Sequence, residues 1–268
     1  MSPTYTLAAI DIDDTLLGPD ATISDDNRRA IRTLQEHGAL VVLASGRSHA
    51  NMMPYHHALD LPAGPVISAQ GAVVRESATG AVWHCSAMHP DQVIAVTQEG
   101  RALGFSVLHY TLDAICIEGY SPWQQIDQER NATAHQLVPD LLQQPIDQIT
   151  KIIWMGPVAT IAQTVPQAQA SLGERVAVIP TDPNYLEFAA PGINKAVGLS
   201  ALAARLGIAQ REVLAFGDGL NDVEMLAWAG RGVAMSHARD AAKSAAAMVS
   251  PDGPHASSLA RAVTLALS

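Results

Sequence analysis

Short apolar segments alternate with helical segments at both ends of this chain, and this alternation constrains its fold more than any other feature. In the first 70 residues, Tyr5–Ile12, Ala39–Ala44 and Pro65–Ser68 are short and apolar, as is typical of fully buried strands. The segments that begin at Ser24 and at Met52 have the capping residues or spacing of helices. The resulting β-α-β-α-β order predicts an α/β fold with a parallel sheet.

The same alternation returns near residue 190, whereas the segment between is rich in strands. Asn194–Leu206, Val213–Phe216 and Asp222–Ala229 are predicted to be a helix, a buried strand and a second helix. We therefore expect one α/β core domain built from residues 1–79 and 191–268. A separate α+β domain is expected to be inserted at residues 80–190, and a length of 268 residues is consistent with two domains.

The charge balance excludes several classes of protein. Sixteen basic and 26 acidic residues give a formal net charge of −10, which argues against binding to nucleic acid or to an anionic membrane surface. No signal peptide and no apolar run of the ~20 residues that span a bilayer are apparent near the N-terminus. We expect a cytoplasmic protein, as a monomer or small homo-oligomer. Cys85 and Cys116 form neither a disulfide framework nor a zinc site, and both are expected to be buried.

An acidic cluster follows the first predicted strand. Asp11, Asp13 and Asp14 lie within four residues. Because side chains two apart on an extended segment share a face, Asp11 and Asp13 can enter one pocket at the carboxyl end of the sheet, where open α/β sheets bind ligands. Neighbouring carboxylates repel each other unless a cation lies between them, and Mg²⁺ with oxygen ligands would resolve the repulsion. An acidic turn that ends the strand and caps a helix is the alternative interpretation.

A second acidic cluster, Gly217-Asp218-Gly219-Leu220-Asn221-Asp222, directly follows another buried strand. A glycine turn with an aspartate that caps the next helix explains this segment equally well when it is considered alone. Two acidic clusters at the carboxyl ends of buried strands in one core are harder to explain by capping.

Two further segments are candidates for binding phosphate. Ser45-Gly46-Arg47 follows the second strand, and its hydroxyl and backbone N–H groups suit a phosphate at the start of a helix, although capping alone also explains Ser45. Lys195 lies at the start of a helix, where the helix dipole does not favour a cation. It is either a counter-charge for phosphate or a solvated surface lysine.

Together these segments resemble the haloacid dehalogenase superfamily of aspartate-nucleophile phosphatases, in particular its Cof-like branch. The resemblance is carried by Asp11–Leu17, Ser45–Arg47, Lys195 and Gly217–Leu226 in that order. The inserted segment matches, in place and length, the cap that such proteins carry. The family's usual residues are Gly at the position of Asp14 and Asn at the positions of Gln70 and His237, so the chain departs from the pattern there.

The resemblance implies a Rossmann-like parallel-sheet core with an inserted cap that closes over the site. It also implies Mg²⁺-dependent hydrolysis of small phosphorylated metabolites, sugar phosphates in particular, through an aspartyl-phosphate. Asp11 would be the nucleophile and Asp13 the general acid and base. The implied metal-binding residues are Asp11, Asp13 (through a backbone carbonyl there or nearby), Asp218 and Asp222. The implied phosphate- or substrate-binding residues are Ser45, Gly46, Arg47, Lys195 and Asn221.

Two other functions fit the same residues. A phosphomutase of this fold would also use Asp11 and Asp13. A non-catalytic regulator that binds a phosphate ligand is the second alternative, although a bare receiver domain needs only about 120 residues and no large insertion.

Overall fold

The computed structural model describes residues 5–130 and 133–268, and these residues form two compact units. The first unit contains the described residues up to His84 together with Asn194–Ser268, and the second contains Cys85–Ile193. The sequence alone places the two divides after residues 79 and 190. The first observed divide lies further along the chain because residues 82–84 belong to a strand of the three-stranded sheet in the first unit.

Strands and helices are numbered along the chain. The strands are β1 (Leu7–Ile10), β2 (Leu40–Leu43), β3 (Pro65–Ser68), β4 (Val73–Glu76), β5 (Val82–Cys85), β6 (Ser106–Tyr110), β7 (Ile115–Ile117), β8 (His135–Leu137), β9 (Lys151–Met155), β10 (Ala177–Asp182), β11 (Tyr185–Ala189), β12 (Val213–Gly217), β13 (Arg231–Ala234) and β14 (Met248–Val249). The helices are α1 (Asp25–Glu36), α2 (His49–Ala58), α3 (Pro90–Ala102), α4 (Pro122–Arg130), α5 (Val158–Leu172), α6 (Lys195–Leu206), α7 (Val223–Trp228), α8 (Asp240–Ala245) and α9 (Ser258–Leu267). Within residues 5–130 and 133–268, no helix has the length and apolarity required to cross a membrane.

The first unit is built on a parallel sheet in the order β14-β13-β12-β1-β2. Leu7–Ile10 pairs with Val213–Phe216 on one side and with Leu40–Leu43 on the other. All four residues of β1 are fully buried, because apolar side chains of α1, α6, α7 and α9 belong to the same core. Parallel strands end at the same edge of a sheet, so the segments after β1, β2 and β12 lie side by side. The predicted α/β fold is confirmed.

A smaller sheet of β3, β4 and β5 lies in the same unit, with β3 and β4 antiparallel. β5 is its edge strand, and both ends of β5 are exposed. For this reason Cys85 is exposed, and the prediction that both cysteines are buried is wrong for Cys85 and correct for Cys116.

The second unit is a six-stranded sheet in the order β10-β11-β9-β6-β7-β8, antiparallel except between β7 and β8. Successive side chains of β9 pack on opposite faces of the sheet. Trp154 packs with residues of α3 and α5, stacked on Phe105 and tilted against Phe188. Ile153 packs on the other face with residues of α4. This packing on both faces of the sheet gives the second unit apolar cores of its own.

Candidate active site

The candidate site lies where three neighbouring strands of the parallel sheet end. Asp11 follows β1, Ser45 follows the stretch that continues β2, and Asp218 follows β12. The backbone N–H of Asp11 still donates to the carbonyl of Phe216 at 3.0 Å, so the chain leaves the ladder only after Asp11. Sheet topology therefore brings together residues that are more than 200 positions apart in the chain.

Three carboxylates meet at this edge. Oxygen atoms of Asp11, Asp218 and Asp222 all lie within 4.8 Å of one another. Lys195, at the first position of α6, is fully buried, and its Nζ donates to Asp11 Oδ1 at 2.5 Å and to Asp222 Oδ1 at 2.6 Å. The interpretation of Lys195 as a solvated surface lysine is therefore excluded.

The electrostatics of the cluster are set by burial and by an excess of negative charge. Burial raises the pKa of Asp11 well above its ordinary value, and repulsion from Asp222 raises it further against the attraction of Lys195. Burial likewise raises the pKa of Asp218 to about 6. Burial alone would lower the pKa of Lys195, but attraction to Asp11 and Asp222 and the hydrogen bonds to both raise it. One ammonium thus faces the two buried carboxyl groups of Asp11 and Asp222 and the partly buried one of Asp218.

The charge and donor chemistry of this cluster fit a divalent cation. Three carboxyl groups within reach of one another offer the oxygen ligands that hard cations such as Mg²⁺ take in proteins. Lys195 balances at most one of the three charges, and the pKa values of Asp11 and Asp218 are raised first by burial and further by repulsion from Asp222.

Asp222 also holds the loop that carries Asp218. Its Oδ2 accepts the backbone N–H groups of Asp218 at 3.0 Å and Gly219 at 2.9 Å. A Cβ at Gly217 would come within 2.5 Å of the Asp222 carboxyl carbon, which explains the absence of a side chain there. Asp222 is therefore a support for the loop as well as a member of the carboxylate cluster.

Asp13 lies outside the three-carboxylate cluster. Its two oxygens accept from Arg47, at 3.0 Å from Nε and 2.6 Å from the terminal nitrogen, and its side chain is half exposed. The Arg47 guanidinium also lies over the ring of Tyr55 at 5.2 Å. The predicted roles of Asp13 at the metal and of Arg47 at the phosphate stay predictions, since this geometry pairs the two residues with each other.

The remaining predicted residues, Ser45, Gly46 and Asn221, are joined through Gln70. Ser45 is buried, and its Oγ accepts the backbone N–H of Arg47 at 3.2 Å, which leaves the hydroxyl proton to be donated elsewhere. A Cβ at Gly46 would come within 2.4 Å of the Gln70 amide nitrogen, and Asn221 Nδ2 donates to Gln70 Oε1 at 3.1 Å. Gln70 thus bridges the loops of Gly46 and Asn221.

Sequence reasoning missed two residues of this site, Thr15 and Gln70. Thr15 is fully buried and its Oγ1 donates to Asp218 Oδ1 at 2.9 Å. Gln70 and the preceding Ala69 both have left-handed backbones, at φ +56° and +50°, a conformation that costs energy and is concentrated at functional sites. Their positions in the sequence could have indicated both residues, because Thr15 follows the first acidic cluster and Gln70 follows β3.

Comparison with known proteins gives the family of this chain. Residues 8–263 match the sequence model for haloacid dehalogenase-like hydrolases. The 5-amino-6-(5-phospho-D-ribitylamino)uracil phosphatase YitU of Bacillus subtilis is 27% identical, over 88% of each chain. The HMP-PP phosphatase of Enterobacter sp. is 29% identical, over 87% of this chain and 84% of its own. The crystal structure of a haloacid dehalogenase-like hydrolase from Bacteroides thetaiotaomicron superposes with a TM-score of 0.84 at 28% identity, over 97% of this chain and 99% of that chain. The chain therefore belongs to the haloacid dehalogenase-like hydrolase family, as its motifs predict.

Proposed function

We propose that the protein is a Mg²⁺-dependent phosphatase that hydrolyses small phosphorylated metabolites through a phosphorylated Asp11. The observation that carries the proposal is the largely buried cluster of Asp11, Asp218 and Asp222, with Lys195 donating to Asp11 and Asp222, at the carboxyl end of the sheet. The curated relatives at 27% and 29% identity are named phosphatases, and this supports the same reaction class.

Asp11 is proposed as the nucleophile. One of its oxygens attacks phosphorus in line, a bond from Asp11 to phosphorus forms, and the bond from phosphorus to the ester oxygen breaks. A water molecule then attacks the same phosphorus atom, releases inorganic phosphate and returns the Asp11 carboxylate. Lys195 contributes by donating a hydrogen bond to Asp11 and by stabilising the negative charge on the phosphoryl oxygens.

Asp13 is proposed as the general acid and base. It supplies a proton to the leaving oxygen in the first step and accepts one from water in the second. Both of its oxygens accept from Arg47 in this structure. To act on the leaving oxygen, Asp13 must therefore exchange at least one of these hydrogen bonds for one to the substrate.

The phosphoryl group is proposed to bind at the loops that meet beside Asp11. The Ser45 hydroxyl, the amide of Gly46, Arg47, Lys195 and the Asn221 amide supply donors of the kind that bind phosphate. Gln70 contacts both the Gly46 and the Asn221 loops, and so keeps these donors together.

The metal is proposed to be held by Asp11, Asp218 and Asp222, with Asp13 contributing through a backbone carbonyl there or nearby. When bound, Mg²⁺ would offset the charge repulsion between Asp11 and the phosphoryl oxygens. The carboxylates would in turn need to be ionised to bind it, so binding displaces protons from groups whose pKa values burial raises.

The substrate is proposed to be a small organic phosphate, with sugar phosphates as the leading class. The named substrate of the Bacillus subtilis relative carries a phosphate on a ribityl chain, which is a polyhydroxylated carbon chain like that of a sugar. A panel of phosphate monoesters that includes phosphorylated sugars and sugar alcohols covers this class.

The test is release of inorganic phosphate from that panel, with Mg²⁺ present and with Mg²⁺ chelated. We expect Mg²⁺-dependent release by the wild type and none by Asp11→Asn, whose circular dichroism spectrum and unfolding midpoint should resemble those of the wild type. Substantial Mg²⁺-dependent hydrolysis by Asp11→Asn would contradict the nucleophile. Isomerised sugar phosphate without free phosphate would indicate a phosphomutase, and stable phosphorylation without turnover would indicate a regulator.

A further inference from the structure

The turn that follows the proposed nucleophile contains a strained residue. Asp14 has φ +60° and ψ 0°, the left-handed conformation that is unfavourable for residues other than glycine. The carbonyls of Asp11 and Ile12 accept hydrogen bonds within the turn, from Leu16 N–H and Leu17 N–H. Such a conformation persists only where surrounding contacts hold it, so the contacts of Asp14 itself decide how firmly the turn is fixed.

Two histidines hold the carbonyl of Asp14 from outside the turn. His237 Nε2 lies 2.8 Å from the Asp14 carbonyl oxygen and His255 Nε2 lies 3.3 Å from it. The two rings pack against each other, with centroids 3.7 Å apart. A carbonyl oxygen only accepts hydrogen bonds, so each Nε2 must carry its proton, and the contact does not require either histidine to be charged.

The segment of His237 is in turn bonded to the Asp218 loop. Met235 N–H donates to the Gly217 carbonyl at 3.1 Å, and Arg239 N–H donates to the Asp218 carbonyl at 2.9 Å. Hydrogen bonds on both sides of His237 therefore tie its backbone to the loop that carries one carboxylate of the cluster. Through its imidazole, the same segment reaches the turn that carries Asp13.

We propose that His237, supported by His255, is a positioning residue of this site that fixes the Asp14 turn and thereby the orientation of Asp13. The inference rests on the proposed function. Thr15, one residue after Asp14, makes a second contact of this kind, in which its Oγ1 donates to Asp218 Oδ1 at 2.9 Å. The turn after Asp13 is thus held at two consecutive residues, by the loop of Asp218 and by the segment that follows β13.

A matched pair of substitutions separates the hydrogen bond from the bulk of the ring. His237→Gln keeps an N–H donor near the position of Nε2, whereas His237→Phe keeps the ring and removes the donor. Steady-state hydrolysis of p-nitrophenyl phosphate with Mg²⁺ gives kcat and KM for each variant. His57→Ala is the control, since His57 is an exposed histidine of α2 that takes no part in the proposed site.

We expect His237→Phe to lower kcat about tenfold, the rate equivalent of one hydrogen bond, with KM within about twofold of the wild type. His237→Gln should retain kcat within about threefold, and His57→Ala should match the wild type. Full kcat in His237→Phe overturns the inference, and so does a loss of equal size in His237→Gln. A wild type that releases no phosphate contradicts the proposed function itself, and with it this role of His237.

A second variant keeps the test decisive if His237→Phe folds poorly. Asp14→Gly keeps the carbonyl acceptor and removes the penalty of the left-handed conformation, so the turn should depend less on the imidazole. In the Asp14→Gly background, His237→Ala should therefore lower kcat by a smaller factor than it does in the wild type. An equal factor in both backgrounds overturns the inference.

Discussion

The two units bury charged side chains in different ways. In the first unit, three carboxylates lie together, and Lys195 donates to two of them, Asp222 and Asp11, the latter 184 positions away in the chain. In the second unit, the buried carboxylates of Glu187 and Asp127 are matched with donors from the sheet. Lys151 Nζ donates to Glu187 Oε2 at 2.9 Å, and Asp127 accepts from Tyr110 and Tyr185 at 2.7 Å and 3.1 Å.

This difference follows from sheet topology. Parallel strands end at one edge, so the polar residues after β1, β2 and β12 converge whatever their distance along the chain. In the mostly antiparallel sheet, Lys151 and Glu187 lie two positions apart on the paired strands β9 and β11, where a side chain meets a ready partner. The excess negative charge in the first unit is what a cation would offset, whereas the buried carboxylates of Glu187 and Asp127 in the second unit already have donors.

The largest expected effect comes from removing two lysines, the fully buried Lys195 and the partly buried Lys151. Lys195→Met should lower kcat by about 10²–10³-fold, because it removes a donor from the place where charge develops. Lys151→Met should lower the free energy of unfolding by about 3 kcal/mol, since the buried carboxylate of Glu187 loses its partner, and should leave kcat within about threefold. Steady-state kinetics and urea unfolding of both variants measure the contrast. Equal losses of kcat in the two would remove the distinction between the units.

The second effect concerns acid sensitivity of the second unit. His109 is buried with Nε2 2.6 Å from Thr97 Oγ1, and burial lowers its pKa from 6.5 to about 4, with a smaller contribution from the Arg101 charge. In the unfolded chain the His109 imidazole takes up a proton as the pH falls below 6.5, whereas in the folded chain it stays neutral until about pH 4. Neutral His109 should therefore leave the free energy of unfolding at its full value above pH 6.5. That free energy should fall by about 3 kcal/mol as the pH drops to 4.

Urea unfolding at pH 7.5 and pH 4.5 tests this prediction in His109→Gln, which keeps a polar group near Thr97 and cannot titrate. The loss of stability between the two pH values should be smaller in His109→Gln than in the wild type. His57→Gln is the control, because an exposed histidine should leave the difference unchanged. An identical loss in wild type and His109→Gln would show that other groups set the acid sensitivity.

The third effect is the stabilisation of the first unit by a divalent cation. At a Mg²⁺ concentration 100 times its Kd, binding to the folded state should add about 2.7 kcal/mol to the free energy of unfolding. Asp218→Asn removes one ligand charge but keeps the oxygen that accepts from Thr15, so it should lose most of this gain. Thermal unfolding with and without Mg²⁺ measures it, with Asp147→Asn in the second unit as control. A full gain in Asp218→Asn would place the cation elsewhere.

The smallest effects on stability are expected from two partly exposed arginines. Arg47 pairs with Asp13, and Arg101 pairs with Glu118 and with Asp140, the latter at 2.6 Å. Solvent screens such pairs, so Arg47→Met and Arg101→Met should each cost no more than about 1 kcal/mol of unfolding free energy. Only Arg47→Met should change phosphate release. If Arg101→Met impairs release as much, the proposed role of Arg47 is not specific to the first unit.

The local rules of the sequence predicted the core closely. Buried apolar runs marked β1, β2 and β12, and Ser24 caps α1 by accepting from the backbone N–H of Asn27. Residues 119–148 carried no such pattern, and there the helix Pro122–Arg130 and the three-residue strand His135–Leu137 were not foreseen. Short elements with few apolar residues depend on tertiary packing, and periodicity does not reveal them.

The candidate site was predictable only in part, for the same reason. Motif spacing identified Asp11, Asp218 and Lys195, which the structure brings into one cluster. It did not indicate that Arg47 would hold Asp13, that Gln70 would bridge to Asn221, or that a histidine would hold the Asp14 carbonyl. These contacts join loops that follow different strands.

The sequence by itself determined most strands and helices of the first unit, the acidic segments at its strand ends, and the family. Each element and motif is a local pattern of about ten residues, because side-chain periodicity and helix capping act over short distances. Only the tertiary structure decided which of those segments are in contact, how deeply Lys195 is buried and which carboxylates accept hydrogen bonds from it. Strand order and packing set these distances, and charge interactions that are weak in water become strong once burial removes the solvent between them.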